Sequence, residues 1–335
     1  MPRPVDILLP VRNAEHTLPD ALDSVTRQTF TRFRVLVVDD GSTDGSSDIL
    51  KAYADRDTRF HILSSGGAGL VAALNQGLAA CNAPLIARMD ADDIMLPERI
   101  ERQVAYLDAN PNVGVLGCAV DVEGLQPGFR HYVEWSNALL TPEQIRLARF
   151  IESPIVHPTV CFRRALCEEH GSYRDGDFPE DYELWLRWMD AGVRFAKLPE
   201  RLLRWHDAPD RLTRTDPRYR VDAFFDVKAR YLARWLNRHS AQQRRVWIWG
   251  AGLRTRRRVR ALCRYGIAIE GFIDIDPRKI GAHTPDGQVF GADHLPGPEA
   301  SFVLSAVGTR GARDLISKAL IEKGYCEGTS FLCIA

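Results

Sequence analysis

The 335-residue chain lacks a surplus of either charge: 44 lysines and arginines face 44 aspartates and glutamates. That balance removes the electrostatic case for nucleic acid as a partner. Long apolar runs are missing as well. The longest are strand-length, far short of the about 20 residues that span a membrane. MPRPVDILLPV runs straight into a strand pattern, without the extended apolar segment and small-residue cleavage site of a secretory signal. Seven cysteines, an odd number with no C-x-x-C pair, read as reduced thiols rather than a disulfide framework or zinc site. Internal repeats and low-complexity tracts are also absent. These absences together lead to the expectation of a cytoplasmic protein, with a peripheral contact at the inner face of a membrane left open. What is present is an ordinary globular composition, 45% hydrophobic and 26% charged, on a length that suggests more than one domain.

The first hundred residues alternate strand and helix. Val5–Val11, Phe33–Asp40, the run RFHILSS and Ala83–Asp90 are apolar or β-branched, and helical patterns cover Ala14–Gln28, Gly45–Ala54 and Gly69–Ala80. Such alternation predicts a mostly parallel sheet with helices on both faces, and ligands in that architecture sit beyond the carboxyl ends of the strands. Asp39–Asp40 and Asp90–Asp93 both fall at such ends. A mixed section follows from Val113, with a strand to Val120, an irregular segment, and helices at Pro142–Ile151, Glu180–Ala191 and Asp216–Trp235. The polar run LNRHSAQQRR reads as a linker, and a new alternation begins at RVWIWGAG. The expected division is therefore 1–236, split near 112 into two halves, a linker at 237–245, and a smaller α/β domain at 246–335.

VVDDGSTDGSSD, Val37 to Asp48, has four readings. As a calcium loop starting at Asp40 it meets Lys51 at the twelfth position, where a bidentate glutamate is needed, so that reading fails. As a phosphate cradle it lacks G-x-x-x-x-G-K-[ST], and its acids repel phosphate. A strand-to-helix turn with Asp44 as N-cap remains open, and so does a part in a nucleotide site. In RMDADD, three close carboxylates at a strand end repel one another unless solvated or bridged by a hard divalent cation. D-x-D alone is a weak motif.

In combination these segments are specific. LLPVRNAEHTLPDALDSVTRQTF, VLVVDDGSTDGS, GLVAALNQGLAACNAPLIARMDADD, ESPIVHPTVCFRR and PEDYELWLRWMDAG, in this order over Val5 to Arg214, resemble inverting glycosyltransferase family 2 with a GT-A fold. The resemblance implies transfer of a sugar from a nucleoside diphosphate, UDP- or dTDP-type by default, to a saccharide or lipid-linked acceptor. It also implies Mg²⁺ or Mn²⁺ as cofactor. Pro10, Val11 and Arg12 then flank the nucleotide base, Asp39 accepts from the base ring with Asp40 beside it, and Asp90 lies near the ribose. Asp92 binds the metal, with Asp93 a supporting ligand or a solvated neighbour. Arg88 is either a salt-bridge partner or a sugar-nucleotide contact. The Glu180–Asp181 pair supplies the general base, with Asp181 the choice, held ionised by the first-turn N–H groups of its helix. Arg204, Arg211 and Arg214 follow as cations for the diphosphate. His206 is a further metal ligand or structural, and His157 shapes the acceptor pocket or holds a turn. The Q-x-x-R-W motif of the processive synthases is missing, which implies an enzyme adding one sugar at a time in polysaccharide or glycoconjugate synthesis.

The C-terminal unit has a Rossmann-like pattern: GAG after a strand, a helix, then Asp274 ending the next strand. Thr255 stands where the third glycine of the fingerprint belongs, so the reading is a regulatory, interaction or vestigial nucleotide module. Three rivals follow: a nicotinamide-dependent oxidoreductase working through that unit, a non-catalytic nucleotide-sugar binding protein, and a glycoside hydrolase, which would use two carboxylates without a metal-ready cluster.

Overall fold

The computed structural model describes residues 3–123, 127–207, 211–239 and 244–335. It divides into two compact units: 1–145 with 155–176 and 180–215, and 146–154 with 177–179 and 216–335. In chain order the first unit holds β1 (Val5–Val11), α1 (Leu18–Thr26), β2 (Phe33–Asp39), α2 (Ser46–Arg56), β3 (Phe60–Ser64), α3 (Leu70–Ala80), β4 (Leu85–Arg88), β5 (Ile94–Met95), α4 (Arg99–Ala109), β6 (Val115–Glu123) and α5 (Pro127–Ala138). After α6 (Pro142–Ala148), which runs into the second unit's residues, it continues with β7 (Cys161–Arg163), α7 (Ala165–His170), α8 (Glu180–Asp190), β8 (Phe195–His206) and α9 (Leu212–Thr215).

Its sheet runs β3-β2-β1-β4-β7-β6-β8-β5. β1 is buried at all seven positions, as a central strand covered on both faces should be. It pairs in parallel with β2 and β4, Val11 opposite Asp39 and Leu8 opposite Arg88. Strand order therefore reverses beside β1, the place where open α/β sheets receive ligands. Asp6 brings a charge into this core, where it is buried and answered by two 2.9 Å bonds from Arg34 and by the amides of Asn82 and Ala83. α3 lies against the sheet at Gly77, where a Cβ would meet Leu8 Cδ1 at 2.1 Å. Beyond β4 the sheet is mixed: β7 is antiparallel to β4 and β6, while β6 and β8 run parallel. Behind that half Trp185, Trp188, Phe162 and Phe195 pack edge to face, with centroids 5.4–5.7 Å apart.

The second unit contains α10 (Val221–His239), β9 (Arg245–Trp249), α11 (Leu253–Arg264), β10 (Ile269–Ile273), β11 (His283–Thr284), β12 (Gly287–Phe290), β13 (Ser301–Ser305), α12 (Ala312–Glu322) and β14 (Phe331–Cys333). Its sheet runs β11-β12-β10-β9-β13-β14. All its pairings are parallel except the β11–β12 hairpin. The run read as a linker is helical as far as His239, and its residues 240–243 lie outside the described ones.

Other sequence expectations shift locally. α1 starts four residues late because Pro19 is best placed in a first turn. The irregular middle segment contains α5, and the twelve-residue β8 was not anticipated. Its interior Pro199-Glu200-Arg201 is exposed and breaks the apolar pattern, at a point where the β6 register shifts.

Candidate active site

The site grows from the carboxyl ends of β1, β2 and β4. Pro10 and Val11 close β1, and Arg12 follows with its guanidinium half-exposed, 3.2 Å from Asp40. Asp39 closes β2. Its oxygens accept from the Ser42 amide at 2.9 Å and the Ser47 hydroxyl at 2.5 Å. Burial works against its ionisation, but those bonds outweigh it and hold the carboxyl below its usual range. Asp40 is buried and fully engaged by Ser65 Oγ (2.6 Å), the Gly69 amide (3.0 Å) and Arg12. It ties the β2 loop to the entry of α3. Where the two loops touch, a Cβ on Gly41 would lie 3.0 Å from Gly67 Cα, and both residues have positive φ.

Asp44 does not cap α2 as expected. Gly45 is the N-cap, and Asp44 instead accepts from Ser46 N and Glu15 N, each at 3.0 Å, while Glu15 accepts from Gly45 N at 2.7 Å. Asp44 thus satisfies the first amide of the helix and Glu15 that of the N-cap residue, while Asp44 in turn holds the Glu15 amide.

The second group follows β4. Asp90, Asp92 and Asp93 offer carboxylate oxygens all within 4.8 Å of one another, the one such group of potential metal ligands among the described residues. Asp93 is 1% exposed; one oxygen accepts from the His206 amide at 2.9 Å and the other is buried without a partner. Burial and the neighbouring Asp90 push Asp92 up to about 6 and Asp93 well above the ordinary carboxylate range. Such a cluster prefers protons to mutual repulsion, and a divalent cation satisfies it as well as protons do. The residues present fit an ion of that kind. His206 stands outside the group and touches Asp93 only through its backbone.

The third group is the start of α8. Glu180 is buried and Asp181 half-buried, with an oxygen of Asp181 accepting from the Tyr182 amide at 2.7 Å. The expectation that helix-end amides hold Asp181 ionised is overturned. Burial, then the charge of Glu180, outweighs them and pushes Asp181 up to about 7. A half-closed carboxyl beside a second acid lacks the water that makes a surface helix N-terminus so favourable.

Arg88 draws these groups together. It is 3% exposed and ion-paired to Asp90, and its Nε has no hydrogen-bond partner. Its charge acts on Asp92, Asp181, Tyr173 and His157 alike. Both alternatives for Arg88 thus have a basis: it has its ion pair, and it keeps a buried donor. His157 is buried behind this hub, 2.6 Å from the Tyr173 hydroxyl and edge-on to Trp185. Burial, then Arg88, holds its imidazole neutral. Tyr173 was not anticipated. Asn75 of α3 grips its backbone through two bonds, 2.9 and 3.1 Å, and the surrounding GSYRDGDFP has no periodicity that would single it out.

Of the cations after β8's core, Arg211 stacks 4.3 Å over the Trp205 ring, donates to the His206 carbonyl, and is felt by Asp92 and Asp93. Arg214 is bound to buried Asp207. Arg204 lies on an exposed position of β8 opposite Ile94. In the second unit Asp274 accepts from the Ala251 amide (2.9 Å), the Asp276 amide (3.0 Å) and Lys279 (3.0 Å).

Comparison with known proteins adds the lineage. The family model for glycosyl transferase family 2 matches residues 6–171. The amylovoran biosynthesis glycosyltransferase AmsE of Erwinia amylovora is 34% identical over 204 residues, 59% of this chain and 74% of that protein. Among solved structures, S. aureus TarS 1-349 in complex with UDP-GlcNAc superposes with a TM-score of 0.57 at 19% identity, over 78% of this chain and 71% of that one. The mannosyltransferase PcManGT of Pyrobaculum calidifontis, in complex with GDP-Man and Mn²⁺, gives 0.50 at 19% identity over 79% and 69%. The structural likenesses show a GT-A fold. The matched sequence carries the strand ends and two of the three acidic groups described above, and the chain belongs to glycosyl transferase family 2 as a glycosyltransferase.

Proposed function

We propose that this glycosyltransferase is metal-dependent, inverting and non-processive, moving one hexosyl group from a nucleoside diphosphate to an acceptor hydroxyl in cell-surface polysaccharide or glycoconjugate synthesis. One observation carries the reading: Arg88 is shared electrostatically by the Asp90–Asp92–Asp93 cluster and by Asp181. That shared charge supports reading the cluster as the side of the leaving diphosphate and Asp181 as the side of the incoming hydroxyl. The AmsE likeness supports polysaccharide synthesis, and the nucleotides and Mn²⁺ named with TarS and PcManGT support a nucleotide-sugar donor and a divalent ion.

In this reading Asp39, with Pro10, Val11 and Arg12 around it, receives the base, while Asp40 holds the loop in place. Asp90 faces the ribose, and Asp92 and Asp93 hold Mg²⁺ or Mn²⁺, which neutralises charge on the diphosphate when bound. Arg88 and Arg211 add fixed positive charge on that side, with Arg204 further along β8. His157 keeps Tyr173 and the acceptor side rigid. Asp181 removes the acceptor's hydroxyl proton as its oxygen attacks the anomeric carbon. The bond to the diphosphate breaks on the opposite face, which inverts the configuration. A carboxylate pushed up to about 7 is a stronger base than a surface aspartate and is still substantially ionised at neutral pH. An acceptor joined to a lipid would be met at the cytoplasmic face; none of the described helices is long and apolar enough to cross a membrane.

The test is a panel of nucleotide sugars with Mn²⁺, following release of nucleoside diphosphate. Turnover with at least one donor is expected, with metal-dependent nucleotide binding abolished in Asp92→Asn. No binding or turnover with any donor would remove the reading.

A further inference from the structure

We propose that the paired helices α10 and α11 of the second unit form a docking face for an anionic lipid surface. The overall charge balance conceals a strong asymmetry. Residues 216–264 hold 14 arginines and lysines against three aspartates, which leaves 30 basic against 41 acidic residues in the rest of the chain. α11 is the extreme, with six arginines and no acid in twelve residues. Packing does not require them, because the buried side of that helix is supplied by Val259, Ala261 and Leu262.

The two helices lie side by side. Arg258 sits 4.4 Å over the Phe225 ring with the charge of Asp222 acting on it, while Arg264 and the Tyr265 hydroxyl both reach Asp226. Leu253, Arg257, Arg260 and Arg264 recur at helical spacing along one exposed stripe of α11, with Arg254 beside them. Arg230, Arg234 and Arg238 are exposed along α10. The chain neutralises only part of this charge. Asp286 takes Arg256 and Arg260, and Asp226 takes Arg264; among the described residues Arg230, Arg254 and Arg257 have no ion pair. Burial, then the charge of Arg254, holds Arg258 below its usual range, so repulsion between these cations persists in the folded chain.

Two features select a bilayer over other polyanions. Both helices begin on exposed apolar side chains, Val221 and Leu253 at 54% each, and Tyr265 is exposed beyond the end of α11. Apolar and tyrosyl edges enter the interfacial layer while guanidinium groups meet headgroup phosphates. Two helices abreast also present a face about 20 Å wide, too broad for the about 12 Å of a DNA major groove. The face stands independently of the transferase reading, since none of its residues belongs to the acidic site.

Co-sedimentation of the full chain with vesicles tests this, using phosphatidylcholine alone and phosphatidylcholine with about one third phosphatidylglycerol. Binding is expected only to the anionic vesicles and should be lost at about 0.5 M salt. Each arginine removed should weaken it about fivefold, so the double variant Arg254→Gln/Arg257→Gln should lose about 10- to 30-fold. Leu253→Ser should weaken it less. Arg102→Gln removes the same charge from an exposed position of α4 and should bind as wild type, which separates a local face from net charge. Thermal melting reports that each variant is folded. Equal binding to both vesicle types, an undiminished double variant, or an equal loss in Arg102→Gln would overturn the face. Tighter binding to duplex DNA than to vesicles, lost in the double variant, would overturn the lipid assignment in favour of nucleic acid. Salt-sensitive self-association without vesicle binding would overturn it in favour of a second copy of the chain.

Discussion

Two strand ends, β10 in the second unit and β4 in the first, finish in opposite ways. In the second, Asp274 at the end of β10 is closed by two backbone amides and Lys279, and those bonds outweigh burial to hold it below its usual range. In the first, the carboxylates after β4 and at the start of α8 are pushed up, with an orphaned oxygen on Asp93 and an unpartnered donor on Arg88. A similar position in a similar sheet is finished within the chain in one unit and left in tension in the other. Unrelieved electrostatic cost marks the groups proposed for the metal and for proton transfer, whereas an aspartate that only binds, such as Asp39, can be closed by its own hydrogen bonds.

The largest test of that contrast is Asp181→Asn. Turnover should fall by about 10²–10⁴, as for loss of a general base, while metal-dependent nucleotide binding persists. A fully active variant would remove Asp181 as the base. The same substitution should leave stability at pH 8 equal to or above wild type, because it removes a carboxylate that folding makes harder to ionise. Urea denaturation reads this directly.

Next in size is the pH dependence. A carboxyl raised from 3.8 to about 7 binds its proton more tightly when folded. Its stabilising contribution is complete below the unfolded value and is lost as pH rises through about 7. The base, conversely, works only when deprotonated. Turnover should therefore rise with pH through about 7 while the metal-free protein loses stability over the same range, followed by initial rates and by thermal melting. Mn²⁺ should raise the melting temperature more at pH 7.5 than at pH 5.5, because protons compete for Asp92 and Asp93. An equal shift at both pH values would separate the cluster from metal binding.

On the other side of the comparison, Asp274→Ala should cost about 1–3 kcal/mol by leaving the buried Ala251 amide unpaired, with turnover within about twofold of wild type. Chemical denaturation and the donor assay decide it, and a collapse of activity without unfolding would mean that this strand end is functional. Lys279→Met is the smallest effect. The lysine is 42% exposed on its side chain, so its loss should cost about 1 kcal/mol or less.

Much of the first unit was legible because its signals are local. β1 is a continuous apolar run, α2 and α3 follow acidic or glycine-rich turns, and the three carboxylate groups stand in an order that few families share. β8 was not legible, since Pro199-Glu200-Arg201 interrupts its pattern and pairing with β6 and β5 keeps it a strand. Tyr173 escaped notice for a related reason: its importance comes from Asn75, 98 residues away, and from His157.

By itself the sequence determined the alternating architecture, the family resemblance and the identity of the acidic groups, since each is written in short runs of residues. Tertiary structure alone decided which acids are under strain. Proton affinity depends on burial and on charges from distant segments, and only folding sets Arg88 among Asp90, Asp92 and Asp181 while closing Asp274 with its own backbone.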